Sequence, residues 1–366
     1  MSEPRGVSII VVNYNNAEFL TAAIDSALGQ EYPLCEVIVV DDCSTDNSQA
    51  VIDRYGDRIR SVLRESNGHQ IAALNSAWPL ARHPILIFLD SDDLLFPHAA
   101  TTVAGVWTAA TVKMQFPLAT IDEAGRQLGQ VAPKYPRNLD TSTLRTELLR
   151  TGGSPNSPAT GNAYSRSLLD RITADGGFEL ESSREHWMDA VLECNAPFYG
   201  EVVTLYQPLA CYRIHAHNLF LINTIDSGHF TARCHTFELK VDYLARRCQN
   251  WGIPFDAAAA RDGSIWLHEC RLAAAKLAEA PVDEPISITL CGAIKASIGT
   301  RLPFVYRILH VIWFVSVAVA PRALARWLIA FRFVASRRPA WFEGFLAKLS
   351  KVKALAGPAR THATDP

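Results

Sequence analysis

The sequence carries no CxxC pair and no His/Cys cluster at zinc spacing; its eight cysteines, Cys35, Cys43, Cys194, Cys211, Cys234, Cys248, Cys270 and Cys291, are scattered. That excludes a zinc ribbon or a disulfide scaffold and fits reduced thiols in a cytosolic protein. Nor is there an apolar run of the roughly 20 residues that cross a bilayer. Ile308 to Ala320 comes nearest, but His310 and Ser316 interrupt it and Pro321 breaks it. No charged segment followed by an apolar one opens the chain, because strand-like residues begin by Val7, so no secretory signal is expected and the chain reads as cytoplasmic. Internal repeats and low-complexity segments are absent. A formal net charge of -2 gives no basic excess over the whole chain, and no nucleic-acid partner is expected.

Glycine-rich phosphate loops are missing too. Val7 to Val12 (VSIIVV) is a continuous β-branched run that suits a strand buried on both faces of a parallel sheet, yet the loop after it, Asn13-Tyr14-Asn15-Asn16, has no glycine. Neither GxGxxG nor GxxxxGK[ST] occurs, so phosphates are not cradled in that way. What is present is an ordinary globular chain of 366 residues, 49% hydrophobic and 20% charged, long enough for one large domain with an appendage or for two domains. Asn15 and Glu18 fit a capping pattern for a helix through Leu20, Ala23, Ile24, Ala27 and Leu28. Cys35 to Val40 reads as a second strand, followed by Asp41 and Asp42 and by Ser44 or Thr45 as the cap of a helix ending near Gly56. A strand around Ser61 to Leu63, a helix through Ile71, Leu74 and Trp78, and a strand at Ile85 to Leu89 complete a β-α-β-α-β-α-β order. That order predicts an α/β fold with a doubly wound, mostly parallel sheet flanked by helices.

Ile85 to Pro97 (ILIFLDSDDLLFP) closes an apolar strand with Asp90, Ser91, Asp92 and Asp93. Three like charges beside a low-dielectric core repel one another, and a positive partner relieves the cost. Carboxylate oxygens suit a hard divalent cation, Mg2+ or Mn2+, and Asp90 and Asp92 lie two apart, so both reach the crevice at the strand's carboxyl end. A diphosphate held through such a cation needs no glycine-rich loop. The plainer alternative is a solvated acidic turn that caps the next helix.

VSIIVVNYN, VIVVDDCSTD, ESNGHQIAALN and FLDSDD together resemble the successive motifs of the family 2 glycosyltransferases, whose nucleotide-sugar domain has the GT-A fold. The resemblance covers about the first hundred residues. It implies that Tyr14 and Asp42 contact the nucleobase, Asp90 the ribose and Asp92 a metal on the diphosphate, with Ser91, Asn67 and Gln70 as further donor-site candidates. A carboxylate such as Asp42 can accept the N–H of a uracil, so a UDP-sugar is the expected donor. Cys43 stands where that family usually has glycine, and Leu74 where many members have arginine.

Arg126 to Ser165 is rich in Pro, Gly, Ser and Thr and reads as long loops. SREHWMDAVLECNAPFYG follows as a helix-like stretch; by the resemblance its Asp189 is the catalytic base, with Glu185 as rival one turn earlier and Met188 where an acid is usual. PLACYRIH resembles the family's closing motif, so Arg213 and His215 either meet the diphosphate or pack beneath it. On this reading residues 1–225 form the glycosyltransferase domain, a nucleotide-sugar half to residue 100 and an acceptor half beyond it. Residues 226–366 form a helical, basic extension. From Arg301 to Arg360 eleven arginines and lysines face one acid, Glu343, and Leu324, Trp327, Leu328, Phe331 and Val334 recur on one helical face. That pattern suits a peripheral anchor on an anionic membrane surface, at the inner face of the cytoplasmic membrane, with a glycan or a lipid-linked molecule as acceptor. Two other classes stay open: a nucleotide-sugar binding protein without catalysis, and a nucleotidyltransferase, which usually has a glycine-rich basic loop where NYNN stands.

Overall fold

A computed structural model describes residues 5–178, 188–216, 218, 225–279, 285–300 and 302–334. Its first part alternates as the sequence predicts: β1 (Val7–Asn13), α1 (Ala17–Leu28), β2 (Cys35–Asp41), α2 (Ser48–Asp53), β3 (Arg60–Leu63), α3 (His69–Ala77) and β4 (Ile85–Asp90). There follow β5 (Leu94–Leu95), α4 (Ala99–Val106), β6 (Thr111–Gln115), β7 (Leu118–Ile121), β8 (Gln127–Ala132), α5 (Thr141–Thr151), β9 (Asn162–Ser165) and α6 (Arg166–Ala174). Then come α7 (Met188–Tyr199), β10 (Glu201–Thr204), β11 (Ala210–Arg213), α8 (Ser227–Trp251), α9 (Ala257–Gly263), α10 (Ile265–Leu277), α11 (Ile286–Gly299), α12 (Phe304–Val319) and α13 (Arg322–Phe333).

The main sheet has the order β10-β6-β9-β4-β1-β2-β3. β1 to β4 run parallel, β10 runs parallel to β6, and β9 is antiparallel to both β4 and β6. Alternation along each strand sends side chains to two cores. Ile10, Ile38, Val40, Leu86 and Phe88 pack on one face with α3, α5, α6, α7 and α8; Val7, Ile9, Val11, Val37, Ile85 and Ile87 pack on the other with α1, α2 and α4. Both faces are therefore covered, which explains why the strands read as unbroken apolar runs. A smaller sheet has the order β5-β11-β7-β8.

Three local expectations are corrected. Asn15 does not cap α1: its backbone is left-handed, φ +53, and its Oδ1 accepts Thr45 N–H from the next loop, while Asn16 precedes the helix. Ser44 and Thr45 do not cap α2, which begins at Ser48; Ser44 instead donates its hydroxyl to Asp41. Arg126 to Ser165 is not a run of loops, since it holds β8, α5 and β9. α5 forms because Asp140 accepts Thr143 N–H at its start and Gly152, at φ +70, closes its end.

The described residues fall into two compact units: one runs to residue 218 and takes in Ala232–Leu267, the other comprises residues 225–231 and 268–334. In the second, Glu269 is buried and holds Arg332 through two hydrogen bonds, 2.8 and 3.1 Å, with His310 at 3.7 Å. Lys276 donates to the carbonyls of Ala318 and Ala320 and so satisfies the end of α12. Among the described residues no helix is long and apolar enough to cross a membrane.

Candidate active site

The registers of β1, β2 and β4 bring their carboxyl ends level: Asn13 lies opposite Asp41, and Val12 opposite Asp90. This is where the strand order reverses direction, β1 being flanked by β2 and β4, and such switch points form ligand crevices. Asp41 braces the rim. It accepts from Asn13 Nδ2 at 2.6 Å and from both the main chain and the hydroxyl of Ser44, and Ser44 in turn accepts Asn15 N–H. Cys43 sits inside this brace at φ +64, a conformation natural to the glycine usual there in the resembling family.

Asp42 is buried and accepts Arg64 Nε at 2.7 Å and the Gly68 amide at 3.1 Å. Arg64 also donates to the Ala72 carbonyl, so strand β3 and helix α3 hold the carboxylate that sequence reading assigns to the nucleobase. Tyr14, 47% exposed, stands at the end of β1 with its ring open to a flat ligand. Asn67 accepts His69 N–H and shapes the turn into α3. Leu74, the residue in place of arginine, is fully buried in the core.

The acidic turn divides its side chains. Asp93 points inward and accepts Arg213 N–H at 2.9 Å; burial, then Asp92 and Asp90, push its carboxyl well up. Ser91 is also buried and accepts Asn16 Nδ2, tying the turn to the start of α1. Asp92 Oδ2 meets His215 Nε2 at 2.9 Å, and its carbonyl accepts Arg213 Nε at 2.7 Å. Arg213 donates also to the carbonyls of Asp122 and Glu123 and lies over the Phe19 ring. It packs beneath the turn, where its charge and donors support the loop. Asp90 remains at the crevice, its carboxyl raised by burial and by the charges of Asp92 and Asp189.

Gln70 joins the two halves. Its Nε2 reaches Asp90 Oδ1 at 3.5 Å, and its Oε1 accepts Met188 N–H at 3.3 Å, where α7 begins. Asp189 follows in the first turn of α7, a position that favours a negative charge. Burial, then the charge of Glu193, nevertheless push its carboxyl up to about 6, against the pull of Lys240 and Lys113. Glu193, one turn further on, is buried and accepts the Ser154 amide at 2.7 Å and Lys240 Nζ at 3.2 Å. Lys113 is buried in β6, donates to Asn156 Oδ1, and is brought down to about 8 by burial. Glu185, the rival base, lies outside the described residues.

Sequence reading did not single out Lys113, Glu193, Lys240 or Arg64. A lysine in the middle of the apolar TVKMQ strand was a visible signal for the first. The others act through partners 22 to 47 residues away, which no local pattern announces.

Residues 8–173 match the sequence profile described as Glycosyl transferase family 2. An uncharacterized glycosyltransferase of Nostoc sp. is 33% identical over 58% of this chain and 66% of its own length. The succinoglycan biosynthesis protein ExoO of Rhizobium meliloti is 39% identical over 25% of this chain and 26% of its own. The chain thus spans less than two thirds of either relative. Among solved structures, S. aureus TarS residues 1–349 with UDP-GlcNAc superposes with a TM-score of 0.51 at 15% identity, over 89% of this chain and 91% of that one. The mannosyltransferase PcManGT of Pyrobaculum calidifontis, solved with GDP-Man and Mn2+, gives 0.50 at 16% identity, over 92% and 89%. The profile match, the relatives and the shared architecture agree with the strand-end acids and the helix that faces them: residues 8–173 are similar to the family 2 glycosyltransferases, and the chain has the GT-A fold.

Proposed function

We propose that the enzyme transfers a sugar, with inversion, from a nucleoside diphosphate to a hydroxyl of a glycan or a lipid-linked acceptor, at the cytoplasmic face of a membrane. UDP is the favoured nucleotide. The carrying observation is Gln70, which touches both Asp90 on the donor side and the main chain of Met188 beside Asp189, so that a strand-end acid and the candidate base share one crevice. Tyr14 stacks on the base, and Asp42, fixed by Arg64 and Gly68, accepts from its ring N–H. Asn67 and Gln70 shape the wall, Asp90 binds the ribose, and Ser91, Arg213 and His215 position the turn.

The residues present fit Mg2+ or Mn2+. Asp92 and Asp90 offer hard oxygen donors whose mutual repulsion a cation relieves. Among the described residues no three His, Cys, Asp or Glu side chains converge into a ready-made cage, so the remaining ligands would come from the diphosphate and water. When bound there, the cation offsets charge on the leaving diphosphate. Asp189 takes the proton of the acceptor hydroxyl as it attacks, and its position near neutrality suits a general base. NYNN, without glycine, disfavours nucleotidyl transfer. Met188 is a buried core residue, so its replacement of an acid leaves Asp189 in place.

The test is turnover of a panel of nucleotide sugars by the wild type and by Asp189→Asn. The reading expects nucleotide release from at least one donor, lost in the variant while nucleotide affinity is kept. Binding without turnover in the wild type, across donors and acceptors, identifies a nucleotide-sugar binding protein instead. Turnover unchanged in the variant moves the base to Glu185.

A further inference from the structure

Among its described residues the second unit leaves an apolar face uncovered. Along α12, Phe304, Ile308, Ile312, Val315 and Val319 recur at helical spacing, and Phe304, Ile312 and Val319 are 73, 55 and 75% exposed. Only Phe314 and Val317 of that helix are fully buried. A helix of this length presents a stripe of about 24 Å. Ile298 at the end of α11 and Leu324 and Trp327 on α13 are also exposed. Apolar area on this scale marks an interaction surface.

Charge selects the occupant. Residues 302–334 contain no aspartate or glutamate, and Arg307, Arg322, Arg326 and Arg332 are their charged side chains. Arg332 is committed to Glu269, and Arg322 donates to the Leu277 carbonyl with Glu279 3.6 Å away, whereas Arg326 is exposed. A second copy meeting this face with its own would set Arg326 against arginine, and residues 302–334 supply no acid to answer it. An anionic lipid surface meets both demands: it takes the apolar stripe to acyl depth and the arginines at the headgroups, where Trp327 also belongs.

We propose that the exposed face of α12, with Arg322, Arg326 and Trp327 of α13, docks in the plane of a bilayer containing anionic lipid. This deepens the membrane part of the proposed function and does not depend on its catalytic part. It extends the contact from the α13 stripe read in the sequence, of which Leu324 and Trp327 are exposed, to α12, which supplies most of the exposed apolar residues.

Co-sedimentation of the full chain with phosphatidylcholine vesicles, with and without phosphatidylglycerol, tests it without any activity measurement. The wild type is expected to bind the anionic vesicles and to weaken with salt. Changing Phe304, Ile308, Ile312 and Val319 together to Ser should lower binding by about 100-fold or more. The pair Arg322→Glu and Arg326→Glu should lower it about tenfold or more. All six positions are exposed, so an unchanged circular dichroism melt certifies the fold of each variant. Vesicle binding equal in wild type and serine variant overturns the proposal. So does a wild-type dimer in sedimentation velocity that the serine changes abolish while no vesicle is bound, which would make the face a contact between copies.

Discussion

The two acidic ends of the crevice are built from the same side chain and balanced in opposite ways. At the end of β4, Asp90, Asp92 and Asp93 crowd together; Asp92 meets the His215 ring, and Arg213 gives its side-chain donors to main-chain carbonyls. At the start of α7, Asp189 and Glu193 stand near Lys113 and Lys240, with Glu193 directly paired to Lys240. Burial raises the carboxyls at both ends. One end gains most from an added cation; the other carries its own positive charge and keeps a carboxylate poised near neutral pH.

The largest effect expected is at the second end. Asp189→Asn should lower kcat by about 100-fold to 10,000-fold with nucleotide affinity nearly unchanged, in steady-state kinetics beside calorimetry. At the first end, Asp92→Ala should remove the metal dependence of nucleotide binding. If both substitutions acted on turnover alone, the division between the ends would be lost.

Acidity sharpens the comparison. Asp189 must be ionised to act, so kcat/KM should rise with pH to about 6 and level off above it. Lys240 lowers that point, and Lys240→Met should therefore shift the acidic limb to higher pH while the plateau changes less. A folded-state carboxyl held above its ordinary 3.8 costs stability above that pH. The cost grows from about pH 4 and is complete above pH 6, roughly 3 kcal/mol at 1.36 kcal/mol per unit. Asp189→Asn should accordingly raise the melting temperature at pH 8, with the gain vanishing towards pH 4. The smallest effect lies at the rim: Cys43→Gly relieves a left-handed backbone and should change stability by about 1 kcal/mol or less, with nucleotide affinity retained.

The four parallel strands were legible because strands covered on both faces must be continuously apolar. The caps were not, because Asn15 and Ser44 look like local capping residues but bind partners about thirty positions away. α5 was hidden among prolines and glycines whose turn signals outweighed one capping aspartate and one closing glycine. The acidic turn was recognisable by charge alone as a candidate for a cation. That Asp93 turns inward, Ser91 ties the turn to α1 and Arg213 supports it from below depends on β11 lying beside β5 and β7, a pairing no local pattern encodes.

The most direct test is calorimetry of UDP with the wild type and with Asp92→Ala, each in Mn2+ and in EDTA. The account predicts binding to the wild type that needs the metal and that Asp92→Ala loses. Equal UDP affinity in all four experiments would contradict it.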